Sequence, residues 1–250
     1  MTLTAGIDLG GTKLAAGLVD LMSGEVTSRS ERPTRPERGG GAVLADCAEL
    51  ARTLGAPRTG LGICEMVDLA GAPCSAATID WLDLDLGREL GADVVICSDV
   101  VAAAAAEARF GVGAGLDSFL YVSIGTGISH CLVLGGIPWR GARGAAIVTG
   151  SPMIEEVAGG KALVGASESQ RAGAAAELGR VLAGLVGALD PAALVVGGGL
   201  GLIADYRALW EPALRSGVWW PPTRDLPVLT ASLGRDAGIV GAAVLAYLTA

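Results

Sequence analysis

The sequence predicts an α/β protein made of two similar halves. Each half opens with an apolar run, a glycine-rich turn and a second apolar run, and the turns read DLGGTK at residues 8–13 and SIGTGI at residues 123–128. The 39 glycines recur in short clusters after β-branched apolar runs, where strands would end in sharp turns. The repeated turns indicate a weak internal duplication, and 250 residues are enough for two modest lobes.

The first half is predicted to alternate strands and helices. Apolar patterns predict strands at residues 3–8, 14–20, 25–29, 60–64 and 92–98, and helices at residues 42–54 and 100–110. The prolines and glycines of residues 30–41 predict an exposed, mobile loop, and residues 68–83 form a second irregular stretch.

The second half is predicted to be mainly helical. Strands are expected at residues 119–123, 128–134 and 193–196, and helices at residues 153–165, 169–189, 202–216 and 237–249. We expect residues 1–98 to form an N-terminal α/β lobe and residues 99–237 a C-terminal α/β lobe. The last helix, about 238–250, is expected to pack back on the first lobe.

The composition excludes several classes of protein. With 51% hydrophobic and 18% charged residues, the chain is predicted to be a well-packed globular protein. The net charge is −8 and no cluster of Lys or Arg interrupts it, so we expect no binding to nucleic acid. The five cysteines include no CxxC pair, which argues against a disulfide framework and against a zinc site.

No targeting or membrane segment is expected. The first ten residues have no basic region ahead of an apolar run, which argues against a signal peptide. The alanine-rich run at residues 100–106 is too short to span a bilayer. We therefore expect a cytoplasmic protein with no membrane partner.

The first glycine turn is a candidate phosphate site. Asp8, Gly10, Gly11, Thr12 and Lys13 follow one predicted strand and lead into another, whereas a Rossmann or Walker motif would lead into a helix. Such a turn can direct N–H groups at a phosphate, Thr12 adds a hydroxyl, and Asp8 could hold Mg²⁺ through water. An ordinary hairpin turn is the alternative.

Two further glycine turns strengthen the phosphate interpretation. Gly125-Thr126-Gly127 joins two predicted strands, and Gly197-Gly198-Gly199 follows a third strand and precedes a helix. The backbone of the latter could lie flat against a nucleotide. Each turn is weak evidence alone, but three turns that each follow an apolar strand are improbable by chance.

The ordered motifs resemble the ROK family of sugar kinases and repressors. GIDLGGTKLAAGLVD resembles the family's first phosphate motif, and SDVVAAAAAE (98–107) resembles its Asn-Asp-Ala-Asn-Ala-Ala-Ala…Glu segment. YVSIGTGI, GGIPWRGARG, EEVAGGKAL, VVGGGL and GRDAGIVGAAVLA follow in the family's order. The resemblance covers essentially the whole chain and implies a two-lobed, actin-like (ribonuclease H-like) ATPase fold that binds ATP and substrate between the lobes.

The resemblance implies that Asp99 is the catalytic base. A carboxylate at the C-terminal end of a strand can accept the proton of an attacking hydroxyl. A helix N-cap is the alternative role for Asp99, and both roles can hold. ATP and Mg²⁺ are the implied cofactors, and a small sugar or polyol is the implied partner.

The sugar half of the site departs from the family pattern. Val148 stands where the family has a sugar-binding Glu, and Ser151 stands where it has a His that binds sugar and zinc. The cysteine-rich zinc segment is missing, so no zinc site is expected. Glu155 matches the family's last sugar-contacting Glu, with Glu156 as the alternative.

Other substrate contacts are expected around Asp99. Ser98 replaces the Asn before the catalytic Asp, and Cys64-Glu65 replaces a Pro-Gly. We include Ser98, Glu65 and Ser151 among the substrate-binding residues. The single histidine, His130, is either structural or a contact to substrate or phosphate.

Two interpretations follow from these departures. The protein is either a kinase for a sugar, amino sugar or cyclitol other than glucose, like the kinases of antibiotic biosynthesis, or a protein that has lost catalysis and acts as a sensor. The retained Asp8, Asp99 and glycine turns favour the kinase. We also expect a homodimer, with Trp219-Trp220-Pro221-Pro222 either in packing or at the dimer surface.

Overall fold

The computed structural model describes residues 3–91, 93–148, 159–160 and 163–249. Its first sheet has the order β3-β2-β1-β4-β5. Strands β1 to β3 form an antiparallel meander, and β4 and β5 run parallel to β1. These strands are β1 Leu3–Leu9, β2 Lys13–Asp20, β3 Val26–Pro33, β4 Thr59–Ile63 and β5 Val94–Ser98.

The second sheet repeats the topology of the first. Its order is β10-β9-β6-β7-β8, with an antiparallel β6-β7-β8 meander and with β9 and β10 parallel to β6. This equivalence confirms the internal duplication that the two glycine turns predict. The strands are β6 Ser118–Ile124, β7 Ile128–Leu134, β8 Ile137–Trp139, β9 Leu194–Gly197 and β10 Val228–Thr230.

Seven α-helices occur within the described residues, and one of them, α3, packs on both sheets. They are α1 Gly40–Leu54, α2 Leu86–Leu90, α3 Asp99–Phe110, α4 Glu168–Leu189, α5 Ala204–Gly217, α6 Pro221–Arg224 and α7 Ala237–Leu248. Helix α3 packs on β4 and β5 of the first sheet, on β6, β7 and β8 of the second, and on α7. Asp99, the first residue of α3, therefore lies where the two sheets approach each other.

The backbone of helix α7 packs directly against the backbone of the first sheet. A Cβ added to Gly6 would lie 1.9 Å from the carbonyl oxygen of Ile239, and one added to Gly60 would lie 1.8 Å from that of Ala242. Only glycine permits so close an approach of helix to strand. The proposed lobe boundaries after residues 98 and 237 stay a prediction.

Helix α4 belongs to the core of the second half. By length and composition it is apolar enough to cross a membrane. Its Leu178, Leu182 and Val186 are fully buried, however, and share one apolar cluster with Trp210 of α5 and with strands of the second sheet. This packing is that of a core helix.

The segment predicted as an exposed, mobile loop at residues 30–41 is mostly exposed, but it consists largely of regular structure, so the prediction of a loop is wrong. Strand β3 continues to Pro33, a short 3₁₀ helix covers Pro36–Arg38, and α1 begins at Gly40. A proline ends β3 without cost because β3 is an edge strand. Strands β8 and β10, three residues each, are too short for a periodic pattern.

Candidate active site

The first glycine turn is held rigidly between β1 and β2. The Gly10 amide donates to the Lys13 carbonyl (2.9 Å). The fully buried Thr34 donates its hydroxyl to the Gly10 carbonyl (2.7 Å) and its amide to the Thr12 carbonyl (3.0 Å). The amides of Gly11 and Thr12 donate to no acceptor in the described part of the chain, so they are available to a ligand. Thr34 lies in a Pro- and Gly-rich stretch, and no local signal in the sequence indicates this role.

Asp8 is the next-to-last residue of β1, and its carboxylate lies against the first turn of α7. A Cβ added to Gly238 would lie 2.3 Å from the carboxylate carbon of Asp8 and 2.6 Å from each oxygen. Burial raises the pKa of the Asp8 carboxyl to about 6, against the opposing effect of the Lys13 and Arg29 charges. Within the described residues this carboxylate accepts no hydrogen bond, as suits a ligand of a hydrated cation.

Lys13 lies beside the phosphate turn but already has an anionic neighbour. Its ammonium lies 3.6 Å from the Glu31 carboxylate, and both side chains are more than a third exposed. An exposed ion pair of this kind contributes little to stability and can exchange for a phosphate partner. Its predicted role in phosphate binding stays a prediction.

Asp99 is the first residue of α3, immediately after β5. Its carboxylate accepts the amide of Val100 at 2.6 Å, and its Cα lies over Gly62 of β4. Burial raises the pKa of the Asp99 carboxyl to about 7, and the negative charges of Asp8 and Glu65 act in the same direction. The N-cap alternative is not what the structure shows, because Ser98 occupies the N-cap position.

Ser98 and Glu65 are engaged with protein groups rather than directed at open space. The buried Ser98 hydroxyl donates to the Glu65 carbonyl at 2.8 Å. The Glu65 carboxylate accepts the hydroxyl of Ser75 and the amides of Ala77, Thr78 and Ile79. This geometry argues against the predicted direct substrate contacts of both residues, since their polar groups are already satisfied.

The thiol of Cys64 lies within the electrostatic influence of both Asp99 and Glu65. Burial, together with the negative charges of Asp99 and Glu65, raises the pKa of the Cys64 thiol to about 12. The thiol is therefore protonated at neutral pH and is a poor nucleophile. The three carboxylates of Asp8, Asp99 and Glu65 interact electrostatically at one end of the first sheet.

The other two glycine turns meet in the second half. The amide of Gly160 donates to the Gly125 carbonyl (2.8 Å), and the amide of Leu200 donates to the Ile124 carbonyl (2.9 Å). Gly198 has φ +80°, and a Cβ there would lie 2.5–2.6 Å from the backbone of Ile124. Together they border an open surface cleft of about 470 Å³, whose described lining residues are Gly125, Thr126, Gly160, Val164, Gly199 and Leu200. This volume suits a nucleotide base and sugar.

The predicted acceptor-binding residues are only partly described. His130 on β7 is buried, its amide donates to the Ile147 carbonyl at 3.0 Å, and burial lowers the pKa of its imidazole. Val148 forms a bridge with Ser129 and remains half exposed. Ser151, Glu155, Glu156 and most of the predicted 153–165 helix lie outside the described residues.

The carboxylates near the first glycine turn suit a Mg²⁺ ion that takes most of its ligands from water and from the phosphates of a nucleotide. No group of three or more His, Cys, Asp or Glu within residues 3–91, 93–148, 159–160 and 163–249 is placed to hold a metal. Mg²⁺ commonly takes one or two carboxylates, several waters and substrate phosphates. The Asp8 carboxylate, which accepts no hydrogen bond from the described residues and lies near the end of the strand that leads to the free turn amides, fits this pattern.

Several known proteins that are similar to this chain are sugar kinases. A glucokinase of Streptomyces coelicolor is 30% identical over an alignment of 317 positions that covers 98% of each chain. The crystal structure of a glucokinase from Streptomyces griseus in complex with glucose and AMPPNP matches with a TM-score of 0.81 at 26% identity, over 98% of this chain and 99% of that one.

A hexokinase from Thermus thermophilus also matches, with a TM-score of 0.81 at 30% identity, over 99% of this chain and 98% of that one. These matches confirm the predicted two-lobed, actin-like fold. The sequence profile of the ROK family matches residues 4–156 and 164–248. The chain belongs to the ROK family.

Proposed function

We propose that the protein is an ATP-dependent kinase that phosphorylates a hydroxyl of a small sugar, amino sugar or cyclitol. The observation that carries this proposal is the pair Asp99 and Asp8. The Asp99 carboxyl has a pKa raised to about 7, and the Asp8 carboxyl accepts no hydrogen bond from the described residues and lies near the end of the strand that leads to the free amides of Gly11 and Thr12. A base with a pKa near neutrality is suited to general base catalysis.

In this proposal Asp99 accepts the proton of the acceptor hydroxyl. As the proton leaves, the hydroxyl oxygen attacks the terminal phosphorus of ATP, the bond to the bridging oxygen breaks, and ADP departs. Asp99 sits at the N-terminus of α3 and is fixed by the Val100 amide, which keeps its second oxygen in place for the proton.

The glycine turns hold the phosphoryl donor. The amides of Gly11 and Thr12, with the turn at Gly125-Thr126-Gly127, would bind phosphate oxygens, and the cleft at Gly199 would take the nucleoside. When bound, Mg²⁺ offsets the phosphate charge, and Asp8 is the residue that would hold it through water. Closure of the two halves would exclude water, so that the acceptor hydroxyl is phosphorylated rather than ATP hydrolysed.

Turnover is expected to require Mg²⁺ and no zinc. Removal of divalent cations with a chelator should abolish ATP consumption, and Mg²⁺ alone should restore it, because Asp8 offers oxygen ligands to a hard cation. Elemental analysis of the purified protein should find no stoichiometric zinc. One tightly held zinc per chain would contradict our interpretation of Ser151 and of the missing cysteine-rich segment.

The acceptor is expected to differ from glucose. A site that hydrogen-bonds ring hydroxyls discriminates sharply, because unmet buried partners are costly, and Val148 and Ser151 do not supply what a Glu and a His would. Across a panel of hexoses, amino sugars and C7-cyclitols, glucose should have a low kcat/KM. Glu155→Ala should raise KM for the best acceptor by at least about tenfold while KM for ATP stays within about twofold. Glucose as the best acceptor would contradict this prediction.

A sensor without turnover is the second candidate function. It is favoured by Val148, an exposed apolar side chain at the position where the family has a sugar-binding Glu. A sensor would bind nucleotide or sugar in calorimetry but consume no ATP with any acceptor of the panel. The kinase proposal requires consumption with at least one of them.

We further propose that the protein acts in the cytoplasm as a homodimer. Trp219 and Trp220 are exposed and stack with ring centroids 6.2 Å apart, and Trp219 is 83% exposed, so these rings are not part of the protomer core. Their exposure supports the dimer-surface alternative over internal packing. A role in antibiotic biosynthesis would follow if a cyclitol is the best acceptor.

A further inference from the structure

Glu65 is a buried carboxylate with four hydrogen-bond donors. It is 4% exposed and accepts the amides of Ala77 (2.9 Å), Thr78 (2.6 Å) and Ile79 (3.0 Å), together with the hydroxyl of Ser75. All four donors come from one stretch of the irregular segment that follows β4. The conformation of residues 75–79 therefore depends on the single charge of Glu65.

The stretch that Glu65 holds passes over the phosphate turn. A Cβ added to Gly11 would lie 2.6 Å from the Thr78 methyl carbon, so Thr78 lies directly against the turn. Thr78 also forms a side-chain hydrogen bond with Cys64, whose thiol pKa is raised in part by the negative charge of Asp99. Thr78 therefore lies against both the phosphate turn and Cys64, and the neighbouring Ile63 pairs with Ser98, the residue before the proposed base.

The main chain around Glu65 also joins the strands that carry the two catalytic carboxylates. The Cys64 amide donates to the carbonyl of Leu9, the residue after Asp8, at 3.0 Å. The Glu65 carbonyl accepts the hydroxyl of Ser98, the residue before Asp99, at 2.8 Å. One short segment therefore contacts the end of β1, the end of β5 and residues 75–79.

We propose that Glu65 is a positioning residue, which acts through the amides of residues 77–79 to hold Thr78 against the phosphate turn and so fixes the acceptor side of the site. This inference rests on the proposed kinase function for its kinetic consequence. The phosphate turn is held independently by Thr34 and by the β1-β2 hairpin. Loss of Glu65 should therefore affect the acceptor far more than ATP.

The chain offers a matched control in Glu107. This second buried glutamate also accepts four hydrogen bonds, from the amides of Val112, Ser232 and Leu233 and from the Ser232 hydroxyl. It lies eight residues beyond Asp99 on α3, about 12 Å along the helix axis. Glu107→Gln should therefore impair stability as Glu65→Gln does, without disturbing residues 75–79.

The test compares Glu65→Gln with Glu107→Gln in the full chain. Hydrogen–deuterium exchange at residues 77–79 should accelerate by roughly tenfold or more in Glu65→Gln only, because an amide oxygen replaces a charged acceptor of several donors. KM for the best acceptor should rise by about tenfold or more in Glu65→Gln, with KM for ATP within about twofold of wild type. Glu107→Gln should change neither KM beyond about twofold.

Two results would overturn the proposal. One is unchanged exchange at residues 77–79 in Glu65→Gln, and the other is an acceptor KM that moves no more than in Glu107→Gln. If Glu65→Gln does not fold, Ser75→Ala can be used instead, because it removes a single donor. It should raise both the exchange rates at residues 77–79 and the KM for the acceptor by about threefold. If the wild type phosphorylates no acceptor, the kinase proposal fails. The role of Glu65 is then still tested by hydrogen–deuterium exchange at residues 77–79 and by the affinity for the sugar or cyclitol measured by calorimetry.

Discussion

Replacing Asp99 with asparagine is expected to lower kcat by at least about 100-fold, which is the range of general-base effects. The amide retains the size of the carboxylate, and its oxygen can still accept the Val100 amide. It has no basic oxygen that could take the proton of the acceptor hydroxyl. Affinity for AMPPNP should be retained, because the phosphate turns and the nucleotide cleft do not depend on Asp99.

The matched control is Asp85→Asn. Asp85 is exposed, caps α2 and accepts the Arg88 amide at 3.0 Å, so it undergoes the same chemical change at the start of another helix. Steady-state assays with Mg²⁺ and ATP should find its kcat within about twofold of wild type. Turnover near the wild-type level in Asp99→Asn would exclude Asp99 as the base.

Thermal unfolding of Asp99→Asn shows whether a lower kcat comes from loss of the base or from a less stable fold. The folded carboxyl has a pKa of about 7, above its ordinary value of 3.8, so its protonated form favours the fold. That stabilisation is complete below the unfolded pKa and is lost as pH rises through about 7. At pH 8 the buried charge is destabilising, and the asparagine variant should have a Tm higher by several degrees; near pH 4 the difference should vanish.

Much of the fold can be predicted because it rests on local patterns. The strands around Asp8 and around Gly125-Thr126-Gly127 combine apolar runs with glycine turns, and those signals repeat in both halves. The repeated strand order of the two sheets confirms what the turns indicate. The short strands β8 and β10 are set by pairing with neighbours that are distant in sequence, which three residues cannot signal.

The site is less predictable than the fold because its residues are fixed by tertiary contacts. Thr34 reaches back to Gly10, and Glu65 organises residues 75–79, yet each lies in or beside a segment whose sequence indicates only an irregular loop. The same holds for Asp99, where local propensity leaves base and N-cap open. The structure argues against the N-cap role, because Ser98 is at the N-cap and Asp99 is one residue into the helix. The role of Asp99 as the base stays a prediction.

Gly238 is the clearest residue that sequence reasoning missed. It lies in α7, 230 positions after Asp8, and nothing local distinguishes it from Gly241, the other glycine of this apolar helix. Only the packing of α7 on the first sheet places it against the Asp8 carboxylate. A helical glycine normally costs about 1 kcal/mol relative to alanine, so its use here indicates a steric requirement.

Replacing Gly238 with alanine is expected to lower kcat/KM for ATP by about 100-fold, since a displacement near 1 Å at a reacting group has consequences of that size. The added Cβ would lie 2.3–2.6 Å from the carboxylate of Asp8, so either Asp8 turns away or α7 moves off the sheet. Gly184→Ala on α4 is the matched control, because a Cβ there meets nothing within 4 Å. It should leave kinetics unchanged and raise Tm slightly through helix propensity. If Gly238→Ala has the same kcat/KM for ATP in the presence of Mg²⁺ as the control, the Asp8 carboxylate is not required at a fixed position in catalysis. A required carboxylate could not be displaced by the added Cβ without loss of activity.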